Sequence, residues 1–487
     1  MKTIMRQVPE NSVLFWRPAP FWVIAMLLFT VMLASCTPSE APEVETPTIA
    51  PTDTVVPTQT ATATPVFTPT PTLPVGMEID PDDLAGSVVR FAHPWVGEAA
   101  EVLENVAEEF SSSNPWDIRV EVYPNGGETA LISALHGFLE AGQMPGLIAV
   151  HPYLLSALDG DFSLVDLRDY FDDPEWGFDS ESQADLNSVF IEPFTDDNQI
   201  TALPFAPQAS VLFYNTSWGE ALGHSEPPDD LNSFRLQTCD AAFFNWRDDN
   251  PDTDGTGGWK INLDPVVLAS WYYAFGGVIP GEEIPSFSND AGQDAFGYLW
   301  DVKIQGCSWF ARQPDPYPYF ANRYALLYAG QLDQVPIQMS WMEALGSEDE
   351  WEVIGFPGPV GETILVDGPG LIITADSMEQ ELAAWLFAKY LLSPEVQAQL
   401  VRTLFTLPVR QSAFDLLADF EEDYPQWAQG AAMLDSASAL PVSPGWGMAK
   451  WVLQDGVFRL LQAETNQVAI FLVQMDEMIL DLAGATP

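Results

Sequence analysis

Basic residues are scarce in this chain, which has 17 Lys and Arg against 70 Asp and Glu and a formal net charge of −53. A nucleic-acid-binding protein needs basic surface to neutralise phosphates, so the balance excludes that class. An anionic lipid surface would repel the chain as well. We interpret the acidity as a solubility feature, with a cation-rich ligand as the alternative.

The sequence also lacks the common catalytic motifs: G-x-S-x-G, H-E-x-x-H, a P-loop and a dinucleotide-binding fingerprint are all missing. With only four His and three Cys, and no clustered spacing of the two, a zinc site is not expected. What is present is a composition of 47% hydrophobic and 12% aromatic residues, including 17 Trp, which indicates a folded globular protein. The many Trp residues also allow ring-stacking surfaces.

The N-terminus has the pattern of an export signal. Lys2 and Arg6 precede the apolar run Phe21–Ala34, which at about 14 residues is shorter than the ~20 of a transmembrane helix. The run ends in Leu33–Cys36, LASC, which resembles a bacterial lipobox whose cysteine is lipidated and becomes the new N-terminus. We predict a lipoprotein signal peptide over residues 1–36 and lipidation at Cys36. A plain signal peptide with a chance cysteine, or an uncleaved anchor, is the alternative.

Residues 37–77 are dominated by Pro and Thr, as in PTQTATATPVFTPTPTLP. With few large apolar side chains this segment cannot form a core, and Pro keeps it extended. About 40 residues at ~3.1 Å each reach on the order of 120 Å. The segment is predicted to be a linker that holds a folded domain at a distance from the membrane.

If Cys36 carries lipid, Cys239 and Cys307 remain as an even pair. Export places them in an oxidising setting, where a disulfide is favoured. We predict the disulfide Cys239–Cys307, with two buried thiols as the alternative.

The first part of the mature chain alternates between strand and helix patterns. Strands are predicted at Ser87–Ala92, Ile118–Val122 and Leu147–Val150, and helices at Ala99–Phe110 and Thr129–Glu140. This order predicts a parallel sheet with covering helices.

Further elements follow in the same mixed order. They are predicted strands at Ser210–Tyr214, Tyr324–Tyr328, Glu352–Ile354 and Gly370–Thr374, and predicted helices at Ala241–Arg247 and Met378–Leu392. The size and the order favour two α/β lobes joined by several crossings.

Several segments, in their order along the chain, carry a resemblance over residues 86–465. They are VVRFAHPWVG, LEAGQMPGLIAV, LPFAPQASVLFYN, WYYAFGG, RYALLYAGQL, WEVIGFPGP, DGPGLIIT and AAWLFAKYLLSPEVQAQL. Together they resemble the family 1 extracellular solute-binding proteins. The family usually has Pro-Asp where this chain has Pro145-Gly146. It also has a Trp-Asp/Glu-Glu-Phe sequence after the Tyr-Asn strand, where this chain has PPDDLNSF. Both departures leave the ligand's identity open.

The resemblance implies an α/β fold of the two-lobed periplasmic-binding-protein type (type II), with a ligand cleft between lobes joined by crossing segments. Lobe 1 would comprise 86–205 and 371–410, and lobe 2 would comprise 206–370 and 411–487. The crossings would fall near Leu203–Gln208, Leu365–Leu371 and Leu407–Arg410. The implied function is capture of a small solute, a sugar or oligosaccharide, for the permease subunits of an ABC importer. The protein would be an exported, lipid-anchored monomer that catalyses no reaction.

Sugars present apolar ring faces and a rim of hydroxyls, so a sugar site needs aromatic platforms and planar polar groups. At positions where the family contacts ligand, or at predicted strand ends, the candidate ligand-binding residues are Trp95, His151, Tyr153, Gln208, Asp264, Trp271, Gln331, Gly370 and Trp446. Packing within a lobe is the alternative for the aromatic residues and His151, a surface acid for Asp264, and a plain turn for Gly370. Trp446, flanked by glycines, is expected in an exposed loop.

A calcium site is a second candidate. Asn250, Asp252 and Asp254, followed by Gly255, match the start of a calcium-binding loop. Ile261 stands where a normal EF-hand has its bidentate Glu, so only a looser site is conceivable, and an acidic solvated loop is the alternative.

Two rival classes remain at this point. An exported carbohydrate-active enzyme would need a carboxylate pair flanking the bond that it cleaves, and with 70 acids such a pair could form by chance. A surface sensor or adhesin could reuse the same fold.

Overall fold

The computed structural model describes residue 77 and residues 79–158, 163–195, 199–281 and 283–484. The predicted signal peptide, Cys36 and nearly all of the predicted linker lie outside the described residues. Within the described part, no helix is both long and apolar enough to cross a membrane.

The strands build two separate sheets. The strands of the described chain are β1 (Val88–His93), β2 (Arg119–Pro124), β3 (Leu147–Val150), β4 (Leu203–Pro204), β5 (Gln208–Tyr214), β6 (Trp259–Lys260), β7 (Ser308–Trp309), β8 (Leu327–Gln331), β9 (Glu352–Ile354), β10 (Ile364–Asp367), β11 (Gly370–Ile373) and β12 (Ala437–Ala439). One sheet has the order β2-β1-β3-β11-β4, and the other has the order β12-β10-β5-β8-β6-β7 with β9 also paired to β5.

Helices cover both sheets. Those of the described chain are α1 (Glu98–Ser113), α2 (Glu128–Glu140), α3 (Arg168–Phe171), α4 (Ser180–Asp185), α5 (Ser188–Ile191), α6 (Thr216–Leu222), α7 (Leu231–Arg247), α8 (Pro265–Ala274), α9 (Asp290–Ile304), α10 (Tyr317–Ala321), α11 (Val335–Leu345), α12 (Met378–Leu391), α13 (Pro394–Leu404), α14 (Gln411–Phe414), α15 (Ala418–Asp423), α16 (Pro425–Ala432), α17 (Pro444–Leu461) and α18 (Val468–Leu482). The five-stranded sheet with its helices is called lobe 1 below, and the seven-stranded sheet with its helices is called lobe 2.

Lobe 1 forms because its central strand β3 is apolar on both faces while α1 is apolar on one. Every residue of β3 is buried, as expected for a strand that helices cover on both sides. α1 buries Leu103, Val106 and Phe110 at helical spacing. Phe110 meets Phe387 of α12 with a ring-centroid distance of 5.2 Å, which closes the core between the two helices.

The chain passes between the lobes at three places. It leaves lobe 1 after β4 and enters the second sheet at β5, and it returns between β10 and β11. It leaves again after α13, which packs on α1 of lobe 1, and reaches α16, which packs on β9 of lobe 2. The start of β5 and the end of β10 therefore lie next to the passages, at the boundary between the two lobes. The lobe boundaries at 205/206, 370/371 and 410/411 stay predictions.

The predicted disulfide Cys239–Cys307 is present, which confirms the pairing. It links α7 to the residue just before β7 across a sequence separation of 68. We expect replacement of both cysteines by serine to lower the free energy of unfolding by about 2–4 kcal/mol, because the open chain gains conformational entropy. Urea denaturation followed by circular dichroism measures the loss. Reducing agent should shift the wild-type midpoint alone, and equal midpoints of the two proteins would contradict the prediction.

Candidate functional site

The carboxyl ends of parallel strands meet at one edge of each sheet, and the two edges face each other. In lobe 1, β1 is parallel to both β2 and β3. In lobe 2, β6 is parallel to β8, and β8 and β10 run the same way because both are antiparallel to β5. His151, just after β3, has its Nε2 3.3 Å from Oδ1 of Asp367 at the end of β10. Ligands of α/β proteins bind at such edges, so this cleft is the candidate site.

His151 lies between two carboxylates. Its Nδ1 is hydrogen-bonded to Oε1 of Glu128, the first residue of α2, and its Nε2 faces Asp367. Burial by itself lowers the pKa of His151, but the charges and hydrogen bonds of Asp367 and Glu128 outweigh it and raise the pKa to about 10. His151 is therefore an imidazolium at neutral pH, and it ties two elements of lobe 1 to β10.

Lys450 of α17 connects lobe 2 to lobe 1. Its Nζ donates a hydrogen bond to Oη of Tyr153 at 3.0 Å. The Tyr153 ring packs so closely on α17 that a Cβ at Gly447 would lie 3.1 Å from Cδ2 of Tyr153. Glycine at position 447 thus allows the two lobes to touch at the cleft.

An exposed indole lies beside this contact. Trp451 follows Lys450, its residue surface is 59% exposed, and Nζ of Lys450 lies 5.1 Å from the centre of its ring. Neither residue was among the sequence candidates. Helical periodicity could have indicated Trp451, because Leu453 and Val457 define the buried face of α17 and Trp451 projects away from it.

Three further predicted residues lie along the lobe 2 edge. Asp264 caps α8, with Oδ1 accepting a backbone N–H of the first turn at 2.8 Å, and burial raises the pKa of its carboxyl. Gln208, the first residue of β5, accepts the backbone N–H of Asp333 at 3.2 Å. Gln331 is the last residue of β8 and is half-buried. Asp333, which was not predicted, adds a carboxyl whose pKa burial raises to about 6.

Trp95 lies on the lobe 1 edge, after β1. Its half-buried ring is 5.7 Å from that of Phe205 and 5.8 Å from that of His93. His93 was not predicted; it is fully buried, and within the described part of the chain neither of its ring nitrogens has a hydrogen-bond partner. Burial lowers the pKa of His93 to about 4, so its imidazole is neutral at neutral pH.

Trp271 does not face the cleft. It is fully buried in α8, where its ring lies 5.2 Å from Phe234, 5.6 Å from Trp259 and 5.2 Å from Phe356. Because a residue in the middle of this aromatic cluster has no free ring face, the structure corrects the expected ligand contact to a core role in lobe 2.

Trp446 is not in an exposed loop, which corrects the expectation drawn from its flanking glycines. It is fully buried and lies in the first turn of α17. Ser443 caps the helix, its Oγ accepting the backbone N–H of Trp446 at 3.2 Å, and Pro444 is the first helical residue. Ser followed by Pro is a helix-start signature, and it was present in the sequence.

Gly370 is the first residue of β11 rather than a turn. A Cβ there would lie 2.6 Å from Cβ of Ala202 and 2.7 Å from Cε1 of Phe194. The close approach that glycine permits here is to side chains of lobe 1, and a contact of the Gly370 backbone with a ligand stays a prediction.

The calcium candidate lies in the turn between α7 and β6. Oδ1 of Asn250 accepts the backbone N–H of Asp252 at 3.1 Å, and the carboxylate of Asp248 accepts the hydroxyl of Thr253 at 2.8 Å. Across the described ranges, no group of three or more His, Cys, Asp and Glu is placed to hold a metal ion. The site of Asn250, Asp252 and Asp254 stays a prediction.

Two grooves between the lobes meet at Glu192 and Pro193 of lobe 1. One has a volume of about 590 Å³ and is lined on the lobe 2 side by Val278 and Pro441. The other has a volume of 700 Å³ and is lined by Pro441 and Met448. The lobes therefore meet through a limited set of contacts with open space between them.

The sequence matches the family model described as bacterial extracellular solute-binding protein over residues 105–431. The fold is similar to that of the cyclic α-maltosyl-1,6-maltose binding protein from Arthrobacter globiformis, with a TM-score of 0.68 and 16% identity over 80% of this chain and 97% of that chain. It is also similar to the sugar-binding protein MalE from Xanthomonas citri, with a TM-score of 0.68 and 19% identity over 82% of this chain and 98% of that chain.

UgpB from Mycobacterium tuberculosis, solved in complex with glycerophosphocholine, is a third similar structure. Its TM-score is 0.64 at 16% identity, over 82% of this chain and 100% of that chain. At these identities the likenesses show the fold alone. No curated protein matches the sequence.

Proposed function

The chain belongs to the bacterial extracellular solute-binding proteins, and we propose that it captures a sugar or an oligosaccharide in the cleft between its lobes. The observation that carries the proposal is the contact of Tyr153 in lobe 1 with Lys450 in lobe 2, beside the exposed ring of Trp451. An aromatic face and charged polar groups thus meet where the two lobes approach each other.

The polar groups of the cleft suit a ligand rich in hydroxyls. The carboxylates of Glu128, Asp264 and Asp367 accept hydrogen bonds, while the ammonium group of Lys450 donates them. Carboxylate acceptors are stronger than neutral ones in a dry site, which favours hydroxyls over apolar solutes. The indole of Trp451 offers the flat apolar surface that the face of a sugar ring needs.

Lobe closure supplies the binding step. The three passages between the lobes act as hinges, and a sugar that contacts both lobes favours the closed form over the open one. Closure removes water from the hydrogen bonds around Lys450 and His151 and creates a surface that spans both lobes. Permease subunits of an ABC importer would recognise that surface and receive the unaltered sugar.

The N-terminal segment would anchor the protein to the membrane. A lipid on Cys36 would hold the protein at the outer face of the cell membrane, and the Pro/Thr-rich segment 37–77 would let the two lobes reach solute and permease as a monomer.

We expect Trp451→Ala to weaken sugar binding about tenfold, because loss of the exposed ring removes a stacking surface. A thermal-shift screen over mono- and oligosaccharides selects the sugar, and isothermal titration calorimetry measures the affinity. Trp246→Ala is the matched control, because Trp246 on α7 is 64% exposed and its ring lies 5.8 Å from that of Phe243 on the same helix.

Three results would count against the proposal. They are a screen in which no saccharide raises Tm, an affinity that Trp451→Ala leaves unchanged, and a sugar that mass spectrometry finds cleaved after incubation. The last result would replace solute capture by an exported enzyme.

A further inference from the structure

The outward face of α17 carries a second aromatic side chain in line with Trp451. Phe458 lies seven residues further along, which is within about 20° of the same direction around a helix and about 10 Å along its axis. The two residues are 59% and 41% exposed. Phe310 extends the surface, since its ring lies 5.7 Å from that of Phe458, and Nζ of Lys303 lies 5.9 Å from the ring of Phe310.

The opposite face of α17 is buried in the core of lobe 2, which determines where the aromatic face points. The helix packs against α8, α9 and α18, and Leu453, Val457 and Leu460 are fully buried. Trp451 and Phe458 therefore form an aromatic track that begins beside Lys450 at the cleft and runs down the outside of lobe 2.

We infer that this track binds the distal part of a linear, neutral oligosaccharide whose other end lies in the cleft. The inference rests on the proposed function and deepens it, because it makes the solute a chain longer than a disaccharide. The distance from Trp451 to Phe458, about 10 Å along the helix, exceeds the reach of a single sugar ring stacked at Trp451.

Two observations favour a linear, neutral oligosaccharide as the ligand of this track. The track is continuous with the cleft through Lys450, whose Nζ is 3.0 Å from Oη of Tyr153 and 5.1 Å from the Trp451 ring. The net charge of −53 opposes a polyanionic chain. Exposure alone would not suffice, because Phe243 and Trp246 on α7 are also exposed, and in the described part of the chain the ring contacts of this pair are with each other and with Arg247 of the same helix.

The test compares a disaccharide with the hexasaccharide of the same linkage, using maltose, cellobiose and xylobiose with their hexamers, by isothermal titration calorimetry of the full chain. We expect the hexamer of the recognised series to bind wild type at least tenfold more tightly than the dimer. Phe458→Ala should remove most of that advantage and leave the dimer affinity unchanged. Phe458→Leu should behave in the same way, because it keeps the apolar volume but not the flat ring. Trp246→Ala should change neither affinity.

Two outcomes would overturn the inference while leaving the proposed function intact. One is equal affinity of dimer and hexamer for wild type, and the other is a hexamer advantage that survives Phe458→Ala. Failure of every saccharide to bind would instead overturn the proposed function and the inference together.

Discussion

Replacement of Trp446 by alanine is expected to lower the free energy of unfolding by about 3–5 kcal/mol, the range for deleting a large buried aromatic side chain. Trp446 is fully buried in the core of lobe 2, so the substitution leaves a cavity among the core residues that pack on the first turn of α17. Urea denaturation monitored by circular dichroism measures the effect. Any loss of sugar affinity would then follow from instability of α17.

Trp451→Ala provides the control on the same helix. Because Trp451 is 59% exposed, its loss should change the free energy of unfolding by no more than about 0.5 kcal/mol while weakening sugar binding. Trp446→Phe should cost less than Trp446→Ala, because it retains most of the apolar area and removes an indole N–H without a partner among the described residues. A Trp446→Ala protein with the wild-type midpoint would contradict the burial that underlies this prediction.

Stability should also fall as pH rises from 6.5 to about 10, because His151 loses its proton over this range in the folded protein. The folded-state pKa of His151 is raised to about 10, whereas an unfolded histidine titrates near 6.5. The folded protein therefore binds the proton more tightly. The stabilisation is complete below pH 6.5 and is lost as pH approaches the folded-state value, where the imidazolium between Glu128 and Asp367 loses its charge.

The variant His151→Gln isolates this contribution. Other groups near the cleft, including Lys450 and Tyr153, are present in both proteins, so the difference between the two unfolding free energies at each pH reports on His151. That difference should shrink steadily between pH 6.5 and 10. His93 acts in another window, because its lowered pKa of about 4 costs stability only below pH 6.5. Parallel curves for the two proteins from pH 6 to 10 would contradict the prediction.

Local patterns predicted many elements well. Leu147–Val150 and Glu352–Ile354 are strands with the expected bounds, and Met378–Leu391 is a helix that ends one residue before the predicted end. Short apolar runs bounded by turn residues, and apolar positions at helical spacing before Ser-Pro, depend on neighbours in the sequence alone. The strand predicted at Tyr324–Tyr328 is found at Leu327–Gln331, because pairing with β5 determines its register.

The candidate site was predicted in part. His151, Tyr153, Gln208, Asp264 and Gln331 lie at the cleft edges because they follow or begin strands whose ends the topology brings together. Burial was the quantity that sequence reasoning could not supply. An indole is equally suited to a core and to a ligand surface, so residue type alone could not distinguish Trp271 from Trp451. Helical periodicity indicates the exposed direction of Trp451, but its position beside Lys450 and Tyr153 depends on the tertiary structure.

Four features could be read from the chain before folding: the family, the two-lobed α/β class, the parallel arrangement of β1 to β3 and the pairing of Cys239 with Cys307. These follow from local periodicity, segment order and cysteine parity. Tertiary structure alone decided that Lys450 reaches Tyr153, that Asp367 holds His151 as an imidazolium, and that Trp446 is core. Each of these depends on contacts between residues far apart in the chain, and such contacts exist only after both lobes have folded and come together.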